Sequence, residues 1–130
     1  MRGSIRLISG TVMSRKRLDN RHFSVTTHVE WQGQKLVVTY GFDITRNHVR
    51  EAFCAAFKRE SDVVALANDA AILLSRLLQH ENEHIETIAK SLGENRVEGQ
   101  TSGPPASLIG AIARRGAEVE REVAGKDSNV

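Results

Sequence analysis

Residues 63–92, VVALANDAAILLSRLLQHENEHIETIAKSL, constrain the fold more than any other part of the chain. Over 63–79 only Asn68, Asp69, Ser75, Arg76 and Gln79 interrupt an apolar run at helical spacing, so the segment predicts a long helix covered on most sides, the spine of a core. Ser61 or Asp62 stands where a helix cap belongs. Ile85, Ile88, Ala89 and Leu92 then mark the inner stripe of a second, narrower helix, with Gly93 placed to end it. Between the two lies His80-Glu81-Asn82-Glu83-His84, a literal match to the zinc-protease pattern H-E-x-x-H.

Upstream, Phe23, Val25, Thr27, Val29 and Trp31 alternate with Ser24, Thr26, His28 and Glu30, the period of a half-buried strand. Gln32-Gly33-Gln34 supplies a turn, and Leu36, Val38, Tyr40 and Phe42 resume the alternation, which predicts a hairpin. Residues 49–57, VREAFCAAF, fit either element. As a helix they align Val49, Phe53, Ala56 and Phe57; as a third strand they put Phe53 and Phe57 on the hairpin's core face. Downstream, 93–105 is rich in glycine and proline and reads as a loop. Pro105 can open a last helix over 106–123, with Leu108, Ile109, Ile112 and Val119 facing inward.

A chain of 130 residues holds one modest core. We expect a basic, flexible arm over 1–21, a single domain over 22–124 and a disordered tail over 125–130. No apolar run is long enough to span a bilayer, and the first residues lack the apolar segment of a secretory signal. The single cysteine, Cys54, rules out an internal disulfide framework and suits a reducing, cytoplasmic setting. Set among alanines and phenylalanines, it reads as a small buried hydrophobe. The net charge of +2 is unevenly spread. Arg2, Arg6, Arg15, Lys16, Arg17 and Arg21 face Asp19 alone, so the arm, Arg15, Lys16, Arg17 and Arg21 above all, is a candidate nucleic-acid contact. It has no interleaved aromatics for base stacking.

Two further candidate sites carry chemistry. In a zincin, His80 and His84 would bind the metal from one helical face with Glu81 as general base. Here the motif falls at a predicted helix break, which separates the imidazoles and makes the string read as a polar hinge. Lys58, Arg59, Ser61 and Asp62 surround the start of the long helix, where free backbone N–H groups can hold an anion; Glu60 and Asp62 oppose that, and a plain cap explains the same residues. The segment ETIAKSLG has the small-residue and glycine spacing of a helix-turn-helix, but ENRVEGQTSGPP follows where a recognition helix should begin.

The succession of two strands, VREAFCAAFKRESD, a long apolar helix ending in Leu77-Leu78-Gln79-His80, a short helix and TSGPPASLIGAI resembles the TSCPD-domain family over about residues 23–115. Members are small stand-alone proteins or C-terminal modules of some ribonucleotide reductases, notably the cobalamin-dependent class. The chain departs from the pattern at Phe57–Asp62, which lacks the family's loop glycines; at Glu81, where the family has glycine; and at Gly103, which replaces the cysteine of the namesake motif in Thr101-Ser102-Gly103-Pro104. The resemblance implies that 49–57 is a strand. The expected fold is α+β, a three-stranded antiparallel sheet packed against a central apolar helix and two shorter helices. The expected function is that of a non-catalytic accessory module in deoxynucleotide synthesis, without a cofactor, docked on a ribonucleotide reductase subunit or self-associated, and not on a membrane. Nucleic-acid binding by the arm and a zinc-dependent hydrolase are the alternatives.

Overall fold

The computed structural model describes residues 23–54 and 62–128. It is an α+β fold in which β1 (Ser24–Trp31), β2 (Gln34–Phe42) and β3 (Val49–Cys54) form one antiparallel sheet in that order. Three helices follow: α1 (Asp62–Leu78), α2 (Ile85–Ser91) and α3 (Leu108–Ser128). No helix among the described residues is long and apolar enough to cross a membrane.

The hairpin forms as its alternation dictates, with Val29 opposite Leu36 and Thr27 opposite Val38. Gln32 and Gly33 both take positive φ, 51° and 78°, the two-residue turn whose twist matches the flanking strands. Residues 49–54 are a strand, as the resemblance implied; 55–57 lie outside the described residues. The expectation for Phe53 was wrong. It stands opposite Thr39 on the outer face and is 49% exposed, while Ala52 and Val49 are buried. The register shifts between Gly41 and Phe42, where Gly41 pairs with Glu51 but Phe42 with Val49. That bulge leaves Arg50 unmatched and returns Val49 to the core side.

The helices also depart from expectation. The last one is the longest, 21 residues against 17 in α1, and it, rather than α1, lies over the sheet. Tyr40, fully buried, donates its hydroxyl to the Ile112 carbonyl at 2.7 Å. A Cβ on Gly116 would collide with the Ile85 side chain and stand 2.8 Å from the Tyr40 ring, so the missing side chain is what lets α3 and α2 close on that ring. The helix starts later than the proline suggested, because Ser107 caps it, its Oγ accepting the Gly110 N–H at 3.1 Å. It also runs on to Ser128, through the stretch read as a disordered tail. Gly125 weakens a helix without stopping it, and Lys126 in the last turn complements the helix dipole. In α2, Leu92 ends the helix in extended conformation, ahead of Gly93.

Helix α1 lies against β3. Ser75 Oγ accepts the Ala52 N–H and donates to the Ala52 carbonyl, both at 2.8 Å, so a polar residue of the apolar helix seals the sheet edge. Ala67, Ala70, Ala71, Leu74 and Leu78 are buried. The helix is not covered on most sides, however: Leu66, Ile72, Leu73 and Leu77 are 60%, 55%, 62% and 41% exposed.

Gly116→Ala is expected to destabilise the protein by about 1–2 kcal/mol, overpacking outweighing the better helix propensity of alanine. Gly125→Ala, whose Cβ meets nothing within 4 Å, should be neutral or stabilising by up to about 1 kcal/mol. Urea unfolding of the two variants, read by circular dichroism, checks the opposite signs.

Candidate functional site

Titratable and cationic side chains converge where the end of α1, the 79–84 turn and the starts of β3 and α2 meet. The bulge at Gly41/Phe42 makes this junction by freeing Arg50. Its Nη1 donates to the carbonyls of Leu78 at 3.0 Å, His80 at 3.3 Å and Glu83 at 2.8 Å, and Nη2 lies 3.5 Å from the Glu81 carbonyl. A guanidinium has the donors to hold a fan of acceptors, and a cation is favoured where helix carbonyls are left without partners. The HENEH segment is thus wound around Arg50 as a turn.

That turn settles how the histidines lie. His80 follows the end of α1 and is exposed, whereas His84 occupies the N-cap position of α2 with φ −132° and ψ 141°. The continuous helix that sets the two imidazoles of a zincin on one face is absent. Instead His84 stacks on His48, ring centroids 4.3 Å apart and tilted by 39°. His48 is positioned by the β2–β3 connection, where Asp43 Oδ1 accepts the Thr45 hydroxyl and the Asn47 N–H at 2.9 and 3.0 Å. The Nδ1 atoms of both histidines are buried without a hydrogen-bond partner among the described residues. Glu120 of α3 reaches the same place; its Oε2 accepts the Val49 N–H at 2.8 Å and lies 3.8 Å from His48 Nδ1. A protonated His48 would therefore have a counter-ion. Among the described residues no three His, Cys, Asp or Glu side chains come together as a metal-binding group.

Of the other candidates, Lys58, Arg59 and Ser61 lie outside the described residues, as do Arg15, Lys16, Arg17 and Arg21. Asp62 is the exposed first residue of α1. Cys54 is half-buried, and burial raises its thiol above the ordinary range. At Gly103, where the resemblance has cysteine, a Cβ would strike the carbonyl of Asn95. The loop is closed there by Asn95 N–H to the Pro104 carbonyl at 2.8 Å, and Arg114 donates at 2.7 Å to both the Gly103 carbonyl and Glu94. The backbone in this conformation has no room for a cysteine.

Beside the junction an apolar groove of about 390 Å³ runs between α1 and α2, lined by Leu73, Leu74, Leu77, Glu83, Thr87, Ile88, Ser91, Leu92 and Ile109. It continues into the exposed leucines of α1. Sequence reasoning missed Arg50, His48 and Glu120, whose partners are tens of residues away. The leucine face did leave a signal, since Leu66, Leu73 and Leu77 are spaced as a second stripe on a helix that already has an apolar one. The chain matches no protein-family model, no curated protein and no solved structure.

Replacing Arg50 by alanine should cost about 2–3 kcal/mol, the scale of hydrogen bonds from a charged donor, and speed amide exchange in residues 79–84. Lysine keeps the charge but not the fork and should recover only part of the loss. Hydrogen–deuterium exchange with urea unfolding reads both effects.

Proposed function

We propose that this protein is a non-catalytic accessory module that works by association, as TSCPD-type domains are associated with ribonucleotide reductases in deoxynucleotide synthesis. The observation that carries the reading is the use of the polar groups at the junction. Arg50 is spent on backbone carbonyls and Glu120 on the Val49 amide, both holding the fold. What the surface offers beside them is apolar: a groove and three leucines of α1. Exposed apolar surface of this kind, rimmed by charge, is characteristic of sites that bind other proteins. The resemblance supplies the class of partner, a ribonucleotide reductase subunit, and the single free cysteine, Cys54, suits the cytoplasm as the compartment.

Sedimentation velocity of the purified protein mixed with such a reductase subunit tests the reading. The expected outcome is a stoichiometric complex with micromolar affinity, about −8 kcal/mol, in protein free of zinc. Three results would contradict it: no complex at concentrations well above that Kd, stoichiometric zinc with peptide hydrolysis, or DNA binding that weakens steeply with salt and is lost on removing residues 1–21.

A further inference from the structure

We propose that the leucine face of α1 is the contact between two copies of this chain, packed with their α1 helices antiparallel about a two-fold axis. Leu66, Ala70, Leu73 and Leu77 follow one another at steps of four, three and four residues, the spacing of a coiled-coil seam. The three leucines are each at least two-fifths exposed, while Ala70 is buried at the margin of the core. An axis passing between positions 70 and 73 sets Leu66 against Leu77 of the second copy and Ala70 against its Leu73. Symmetry repeats both layers. The small side chain of Ala70 leaves room for the leucine that faces it.

Charge selects the orientation. Asp69 and Arg76, both exposed, flank the same side of the seam one heptad apart. In the antiparallel arrangement Asp69 of each copy approaches Arg76 of the other, giving two equivalent ion pairs. A parallel, in-register pair would instead leave the charges of the two copies on opposite sides of the seam and form neither ion pair. The groove provides the second argument. It opens beside Leu73 and Leu77, towards the C-terminal end of the seam. Leu66, at the other end, is 60% exposed and does not line the groove of its own chain. The antiparallel axis carries it to the groove of the second copy, and the exchange is reciprocal, as an isologous interface requires.

The inference rests on the proposed function only in taking the α1 face as a surface for association. Sedimentation equilibrium of the full chain, from about 1 to 200 µM to bracket micromolar affinity, should show the mass rising from 14.4 kDa to twice that value. Leu73→Asp alters an exposed side chain, so it should leave the helical signal intact and hold the protein at the monomer mass. Asp69→Arg alone and Arg76→Asp alone should each weaken association roughly tenfold, two attractive pairs becoming repulsive. The double variant should recover it, which a purely structural role for either residue does not predict.

The proposal is overturned if the wild-type chain stays at 14.4 kDa throughout. That result covers the case in which residues 1–22 of the same chain occupy the leucine face and the case in which only a reductase subunit does. A dimer that survives Leu73→Asp, or charge variants that show no recovery when combined, also overturns it. A monomer that still binds the reductase subunit would remove the dimer and leave the accessory reading standing; a dimer that does not bind it would do the reverse.

Discussion

Tyr40 carries α3, and the rest of the structure is arranged around that contact. The ring is fully buried, its hydroxyl is satisfied by the Ile112 carbonyl, and one turn further on Gly116 has no side chain to hold the helix away. Ile85 of α2 reaches the same point, so one tyrosine ties sheet, α2 and α3 together. A buried phenol without an acceptor would be costly, which makes the position of α3 along its axis as specific as its direction. With the sheet's core face taken by α3, the apolar helix α1 packs against the edge of β3 and the flank of α3. Its alanines, with Leu74 and Leu78, face that side, and Leu66, Leu73 and Leu77 are left exposed.

Much of this was legible in the sequence, and the exceptions have a common physical cause. The period of two in 23–42 is a local property, and the hairpin and its facing follow from it. The register is set by the two-residue turn at Gln32 and Gly33, which leaves Gln34 paired with Trp31. The apolar run at 63–79 likewise identifies a helix, but how many sides of a helix are covered depends on where other elements dock. An alanine-rich face and a leucine-rich face score alike as apolar. The bulge in β3 depends on the partner strand, so no reading of VREAFC alone places Val49 and Ala52 inward and Phe53 outward. Arg50 is the same case at longer range, since its acceptors lie 28 to 33 residues away. HENEH shows the converse: the letters fit a zinc motif, but the chemistry needs a continuous helix beneath them, and the chain turns there around a guanidinium.

The junction and the α1 face therefore have different roles in the molecule. At the junction, charge is consumed in holding backbone together, and the stacked histidines with Glu120 nearby add a cluster that sits inside this framework. On α1, among the described residues, apolar surface stays exposed, flanked by Asp69 and Arg76. The proposed association, with a reductase subunit or a second copy, draws on that remainder.

The seating of α3 on a buried Tyr40 has a direct readout because this is the only tyrosine in the chain. Burial pushes its pKa well above the ordinary value of 10.0, opposed in part by Arg115. The neutral phenol is thus bound more tightly by the folded state than by the unfolded one. Its contribution to stability is complete below about pH 10 and is lost as pH rises above that value towards the folded pKa. Cys54, also raised by burial, acts in the same direction. The decisive measurement is an alkaline titration following phenolate absorbance and helical circular dichroism on the same sample. Phenolate is expected not to appear near pH 10 and to emerge only together with loss of the helical signal. Phenolate titrating freely near pH 10 in a chain that keeps its helices would contradict this seating of α3.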